Sequence, residues 1–213
     1  TKYGFGGAAL SPAPWLIMTH RCLLVQFLQR GELKTLMFNP TDDVAARKTP
    51  FFERTIRQFG DYIAFNLLAK RFDSLEHQLA ALGVTRESVD YVAFDHFHTQ
   101  DFRGLLGTQD AAHAPRFPNA KLLAQRAEWD DWDDLHPLQR AWYVADGKAT
   151  VRTNQVVLLD GDFELGDGVM LLRTPGHTSG NQTLFVNTPD GIWGSSENGI
   201  SADNWSPHES RIS

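Results

Sequence analysis

Three short apolar runs each end in a loop carrying residues that can hold a metal or move a proton. Nothing else in the chain constrains its fold as strongly. "VDYVAF" (89–94) runs into "DHFHTQDF" (95–102), "VMLLR" (169–173) into "TPGHTSGN" (174–181), and "IWG" (192–194) into "SSENG" (195–199). A short apolar run bounded by polar and glycine-rich residues reads as a buried strand. Strands alternating with helical patterns make an α/β protein, and ligand sites in such folds gather where strands end.

The remaining elements fit that rhythm. "CLLVQFLQ" (22–29) and "LKTLMFN" (33–39) flank "RGE", which predicts a hairpin with a short turn containing glycine. "DYIAFNLLAKRF" (61–72) has a helical pattern. "DSLEHQLAALG" (73–83) reads as a helix: Asp73 or Ser74 stands at the cap, Leu75, Leu79 and Leu82 share a face, and Gly83 closes it. "AKLLAQ" (120–125) predicts a strand. "AEWDDWDDLHPLQRAWYV" (127–144) predicts a helix interrupted at Pro137, with its acidic run as a solvated face. Residues 156–176 predict two strands around Gly-Asp turns, and 181–196 a hairpin turning at "TPDG".

The loops carry the chemistry. His96 and His98 are two apart, so an extended backbone points both imidazoles to one side and makes half of a metal site. Asp101 follows within reach as a further oxygen ligand or a water-holding carboxylate. His177 sits in a loop shaped by Pro175, Gly176 and Gly180, in the right setting for a third imidazole. Glu197 follows the last run and offers another carboxylate. The other histidines, His20, His77, His113 and His136, read as ordinary strand, helix or loop residues.

In this order the motifs resemble the metallo-β-lactamase fold superfamily. Its first motif, His-x-His-x-Asp-His, stands here as "HFHTQD", and its "PGHTxG" loop as "PGHTSG". Its strand ending in a metal-bridging Asp is matched by "WGSSEN", with Glu197 at the Asp position. The resemblance implies a four-layer αββα sandwich with a C-terminal element short or missing. It also implies a single domain over 1–213, with two pseudo-symmetric halves of roughly 1–118 and 119–213. The departures are specific: Gln100 replaces Asp, Asp101 replaces His, and Glu197 replaces the bridging Asp. His208 in "SPHES" is available as the family's last ligand, but its context is that of a surface histidine. The first metal position, His96, His98 and His177, is therefore expected intact. Asp101 and Glu197 either rebuild a second position or leave a one-metal centre.

The resemblance implies a metal-dependent hydrolase of a lactone, ester, amide or activated aryl ether, acting through a metal-bound hydroxide. Asp101 and Glu197 would bind metal or handle the proton. Zinc, one or two ions, is the first choice, and carboxylate ligands also admit iron or manganese. Two other readings stay open: a non-catalytic binding or assembly subunit, and an iron-dependent redox enzyme in the same pocket.

Composition excludes some partners. Lys and Arg number 20 against 26 Asp and Glu, and they are scattered rather than striped, so a nucleic-acid groove is not expected. No apolar run is long enough to span a bilayer, and no secretory pattern opens the sequence, which sets the expectation of a cytoplasmic protein. A single cysteine, Cys22, excludes an internal disulfide framework. Phe102, Trp129, Trp132, Trp142 and Trp205 lie near the motifs or in the insert between them. Each one singly reads as core, and as a group they are compatible with a small aromatic or acyl substrate. An exposed sheet edge near the C-terminus would favour a homo- or hetero-oligomer.

Overall fold

The computed structural model describes residues 20–68 and 71–196. The expected hairpin pairs β1 (Leu23–Gln29) with β2 (Glu32–Phe38), antiparallel, through a two-residue turn. Arg30 and Gly31 both have positive φ, 53° and 84°, the backbone a tight hairpin turn requires. β2 continues into a parallel array with β3 (Tyr91–Ala93), β4 (Lys121–Gln125) and β5 (Val156–Leu159), giving the order β1-β2-β3-β4-β5. A second, antiparallel sheet runs β6-β7-β8-β9 through Phe163–Gly166, Val169–Arg173, Gln182–Thr188 and Gly191–Ser195.

Alternation along the strands divides the core in two. On β2, β3 and β4, Leu36, Phe38, Ala93 and Leu123 point between the sheets. There they meet Leu165, Val169, Leu171 and Leu184. Their neighbours Met37, Val92, Leu122 and Ala124 point the other way, into a second cluster. Strands buried on both faces read as continuous apolar runs, as β3 and β4 do.

The helices are α1 (Asp43–Ala46), α2 (Pro50–Ile63), α3 (Leu75–Ala81), α4 (Phe102–Leu106) and α5 (Arg126–Asp131). Leu79 of α3 and Phe102, Leu105 and Leu106 of α4 fill the outer cluster beside Phe94, Phe97 and Phe117. The α3 cap is as expected: the Ser74 hydroxyl accepts from His77 N, and Gly83 has φ 68°. Residues 61–72 divide, with α2 ending at Ile63 and a π-helical turn over Ala64–Leu68.

Two expectations change. The helix expected over 127–144 stops at Asp131 and gives way to 3-10 turns at Trp132–Asp134 and Arg140–Trp142. Aspartates compete for backbone hydrogen bonds and weaken a helix interior, and Pro137 excludes helical backbone before it. Residues 156–176 hold three strands, not two, because Gly161 turns β5 out of the first sheet before β6 starts the second. No described helix is long and apolar enough to cross a membrane.

Candidate metal centre

β3 is central in its sheet, and Phe94 carries the chain out of it into Asp95 and His96. This exit is fixed by polar locks. Asn39, just past β2, donates from Nδ2 to Asp95 Oδ2 and accepts from Asp95 N, both at 3.0 Å. Asp95 Oδ1 accepts from His96 N at 2.8 Å and lies 2.8 Å from His96 Nδ1. From the second sheet, Gln182 donates its backbone N–H to the Asp95 carbonyl and its side-chain amide to the Phe94 carbonyl, each at 2.8 Å.

His177 arrives from β7. Its loop is closed by Thr174 N donating to Asn181 O at 2.8 Å and Gly176 N donating to Thr178 O at 2.9 Å. A Cβ on Gly180 would lie 2.3 Å from Glu128 N, so only glycine lets this loop settle against α5.

The three imidazoles converge. Ring centroids are 4.6 Å apart for His96–His98 and His96–His177 and 4.8 Å for His98–His177, with the planes 77° to 86° apart. One ligand atom from each lies within 4.8 Å of the others. His98 Nδ1 is 3.1 Å from His177 Nε2. Two nitrogens on one tetrahedral zinc at ~2.05 Å stand about 3.3 Å apart, so the His98–His177 pair has the spacing of two ligands on such an ion.

Burial, then the neighbouring His96, holds the His98 pKa down to about 3. The Gln139 hydrogen bond and Asp95 oppose this, while His177 adds to it. The ring is neutral at working pH, the form in which an imidazole binds metal. An unfolded chain charges this ring below about 6.5, whereas the folded chain waits until about 3. The unfolded state therefore binds more protons across that window, and His98's contribution, whole above 6.5, is lost as pH falls. Between pH 7.5 and 5.0 the metal-free protein should lose about 2 kcal/mol from this group, read as a lower denaturant midpoint.

Asp101 is not among the three residues whose ligand atoms converge. Its carboxylate caps α4 by accepting from Arg103 N at 3.1 Å and pairs with the Arg103 guanidinium at 2.9 and 2.7 Å. Gln100, at the family's Asp position, donates to Thr41 Oγ1 and to the His98 carbonyl. Glu197, His208 and Trp205 lie outside the described residues.

Sequence reasoning missed the residues that support the rings. Glu128 is 2% exposed, although its stretch reads as a solvated acidic face. It accepts from Phe97 N at 2.9 Å, from the Tyr143 hydroxyl at 3.0 Å and from Gly180 N at 3.2 Å, joining both histidine loops. Burial, with Glu128 adding to it, pushes the Tyr143 pKa up, so the phenol stays protonated. Gln139, from the insert, contacts both His98 and His177. Among the flagged aromatics, Phe102 and Trp132 are core, and Trp129 stacks on Phe102. Trp142 is 37% exposed, stacks on Phe51 at 4.5 Å and lies 6.1 Å from the His98 ring.

Among solved structures, a probable metal-dependent hydrolase from Staphylococcus aureus superposes with a TM-score of 0.54. It is 21% identical, over 76% of this chain and 52% of its own. A variant of the B. thuringiensis protein AiiA, with N-decanoyl-L-homoserine at its active site, gives 0.51 at 19% identity, over 82% of this chain and 63% of its own. The chain has the metallo-β-lactamase fold. No family model matches the sequence. In sequence, this metallo-β-lactamase-fold chain is 28% identical over 131 residues to an N-acyl homoserine lactonase of Bacillus thuringiensis, 61% of this chain and 46% of the relative. It is 31% identical over 111 residues to one from Bacillus cereus, 52% of this chain and 38% of the relative. The aligned stretch thus spans less than half the length of these curated relatives.

Proposed function

We propose that the chain is a metal-dependent hydrolase of small organic molecules with an activated carbonyl, lactones foremost, on a single metallo-β-lactamase-type domain. The observation that carries this reading is the convergence of His96, His98 and His177 as mutually tilted imidazoles. The sequence likeness to N-acyl homoserine lactonases supports the lactone as first substrate class. When bound, zinc, or iron or manganese in its place, would supply a Lewis acid for the carbonyl, and zinc would lower the pKa of its water toward about 7.

The chain's own residues supply the rest. Asp95 and Gln182 fix the His96 backbone, and Glu128 holds the two histidine loops at one spacing. Asp101 is engaged by Arg103, so it steadies the start of α4. That leaves Glu197 as the carboxylate proposed to accept and return the proton. Phe51 and Trp142 form an exposed aromatic wall beside His98, suited to the apolar part of a substrate.

The proposal includes a cytoplasmic setting, where Cys22 stays a thiol that burial pushes up to about 12. It also includes association with another chain. Ile192 and Trp193 are exposed on β9, an edge strand among the described residues, and a monomer-sized elution at micromolar concentration overturns that part.

The deciding experiment measures metal per chain on protein purified without added metal, then hydrolysis of N-hexanoyl homoserine lactone before and after dialysis against a chelator. About one zinc per chain is expected, with activity lost on chelation and restored by zinc. Protein that takes up no metal overturns the reading. Iron with no hydrolysis moves the site to redox chemistry.

A further inference from the structure

Gln139 touches two of the three histidines and belongs to no motif. Its Oε1 lies 2.5 Å from His98 Nε2, and its Nε2 donates to the His177 carbonyl at 3.2 Å. A carbonyl can only accept, so the amide nitrogen faces His177 and the amide oxygen faces the imidazole. That oxygen is an acceptor too, so the His98 nitrogen opposite it carries the proton. A neutral imidazole has one N–H and one lone pair. With the proton on Nε2, the lone pair falls on Nδ1, the atom 3.1 Å from His177 Nε2 and inside the group of three.

We infer that Gln139 is a positioning residue that holds His98 in its Nε2–H form and so presents Nδ1 to a metal. The inference rests on the metal-centre reading above. Gln139 is itself held in place: its N–H donates to His136 O at 2.8 Å, and its carbonyl accepts from Trp142 N at 3.0 Å. Trp142 O in turn accepts from Thr99 N at 2.7 Å, directly beside His98. The insert between α5 and β5 thus docks on the His96–His98 loop through backbone on one side and the Gln139 amide on the other. Thr99 has φ 66°, a left-handed conformation that a β-branched residue seldom adopts, and the Trp142 contact falls on that residue. A partner on the far nitrogen of a ligating histidine commonly changes metal affinity ~10–100-fold when removed.

Two readouts test this without relying on turnover. Long-range proton–nitrogen correlation on 15N-histidine-labelled, metal-free protein reports the His98 tautomer. Competition with a chromophoric chelator reports zinc affinity. Gln139→Met keeps the length and removes both polar atoms. It should make the Nδ1–H form of His98 detectable and weaken zinc binding about tenfold or more. Gln139→Glu keeps an oxygen acceptor opposite Nε2 and should keep the Nε2–H form. Gln139→Met protein with His98 wholly Nε2–H and wild-type zinc affinity overturns the inference. If the wild type binds no zinc, the metal-centre reading falls, and the tautomers of the metal-free variants still decide the role of Gln139.

Discussion

His98→Ala should lower zinc affinity by roughly 10²–10³-fold and reduce lactone hydrolysis to background. A complete zinc site in a small peptide is worth ~10–16 kcal/mol, so one ligand of three or four carries a few kcal/mol. The loss is not one of folding: His98 is half-buried and contributes to neither hydrophobic cluster. At pH 7.5 the metal-free variant should therefore lose only the worth of the His98–Gln139 hydrogen bond, about 1 kcal/mol. Glu197→Gln supplies the contrast. Under the proposed division of labour it keeps metal content near the parent's and lowers kcat by ~10²-fold or more, the usual weight of a proton-handling group. If Glu197→Gln loses the metal, the carboxylate is a ligand. If it changes neither quantity, Glu197 has no part in the reaction. Metal content and single-turnover rates on the two variants separate these outcomes.

Glu128→Leu is the second large effect, and it is one of stability. The substitution strips acceptors from Phe97 N, Gly180 N and the Tyr143 hydroxyl in a buried junction. Each buried polar group left unsatisfied costs about 1–3 kcal/mol, so a loss of at least ~3 kcal/mol is expected. That is a large fraction of the ~5–15 kcal/mol that holds a typical domain together. Glu128→Gln keeps one acceptor oxygen but turns an amide N–H toward one of the donors, and should fall between the two. Gly180→Ala damages the same junction from the other side, because its Cβ meets the α5 backbone and not a flexible side chain. Combined with Glu128→Leu, it should add less than its own cost, since both break one contact. Urea titrations of the four variants check this. Additive losses would mean that Glu128 and Gly180 act separately.

The strand-end histidines were legible because an apolar run followed by a ligand-type loop is a local pattern. The hairpin turn at Arg30 and Gly31 and the capped helix ending at Gly83 were legible for the same reason. Glu128 was not. It sits in "AEWDDWDD", where the exposed aspartates at 130, 131, 133 and 134 mask one inward carboxylate. Its partners are Phe97 and Gly180, 31 and 52 positions away, and no local periodicity marks such pairs. Gln139 is 41 residues from His98, in a segment expected to be helical and found as turns. Asp95 stood in the motif itself. Its use as the lock between Asn39 and His96 depends on β2 lying beside β3, which only the sheet order reveals.

His96 and His98 come from the mixed sheet and His177 from the antiparallel one, so the trio has no existence in either sheet alone. All three rings are therefore together only once the two sheets have docked. An ion bound there would close a ring through chain positions 79 residues apart. Separating the sheets would break the site and release the ion, so raising free metal would favour the docked state by mass action. The rate at which a chelator strips the protein would then be capped, at high chelator, by the rate at which the seam between the sheets breathes.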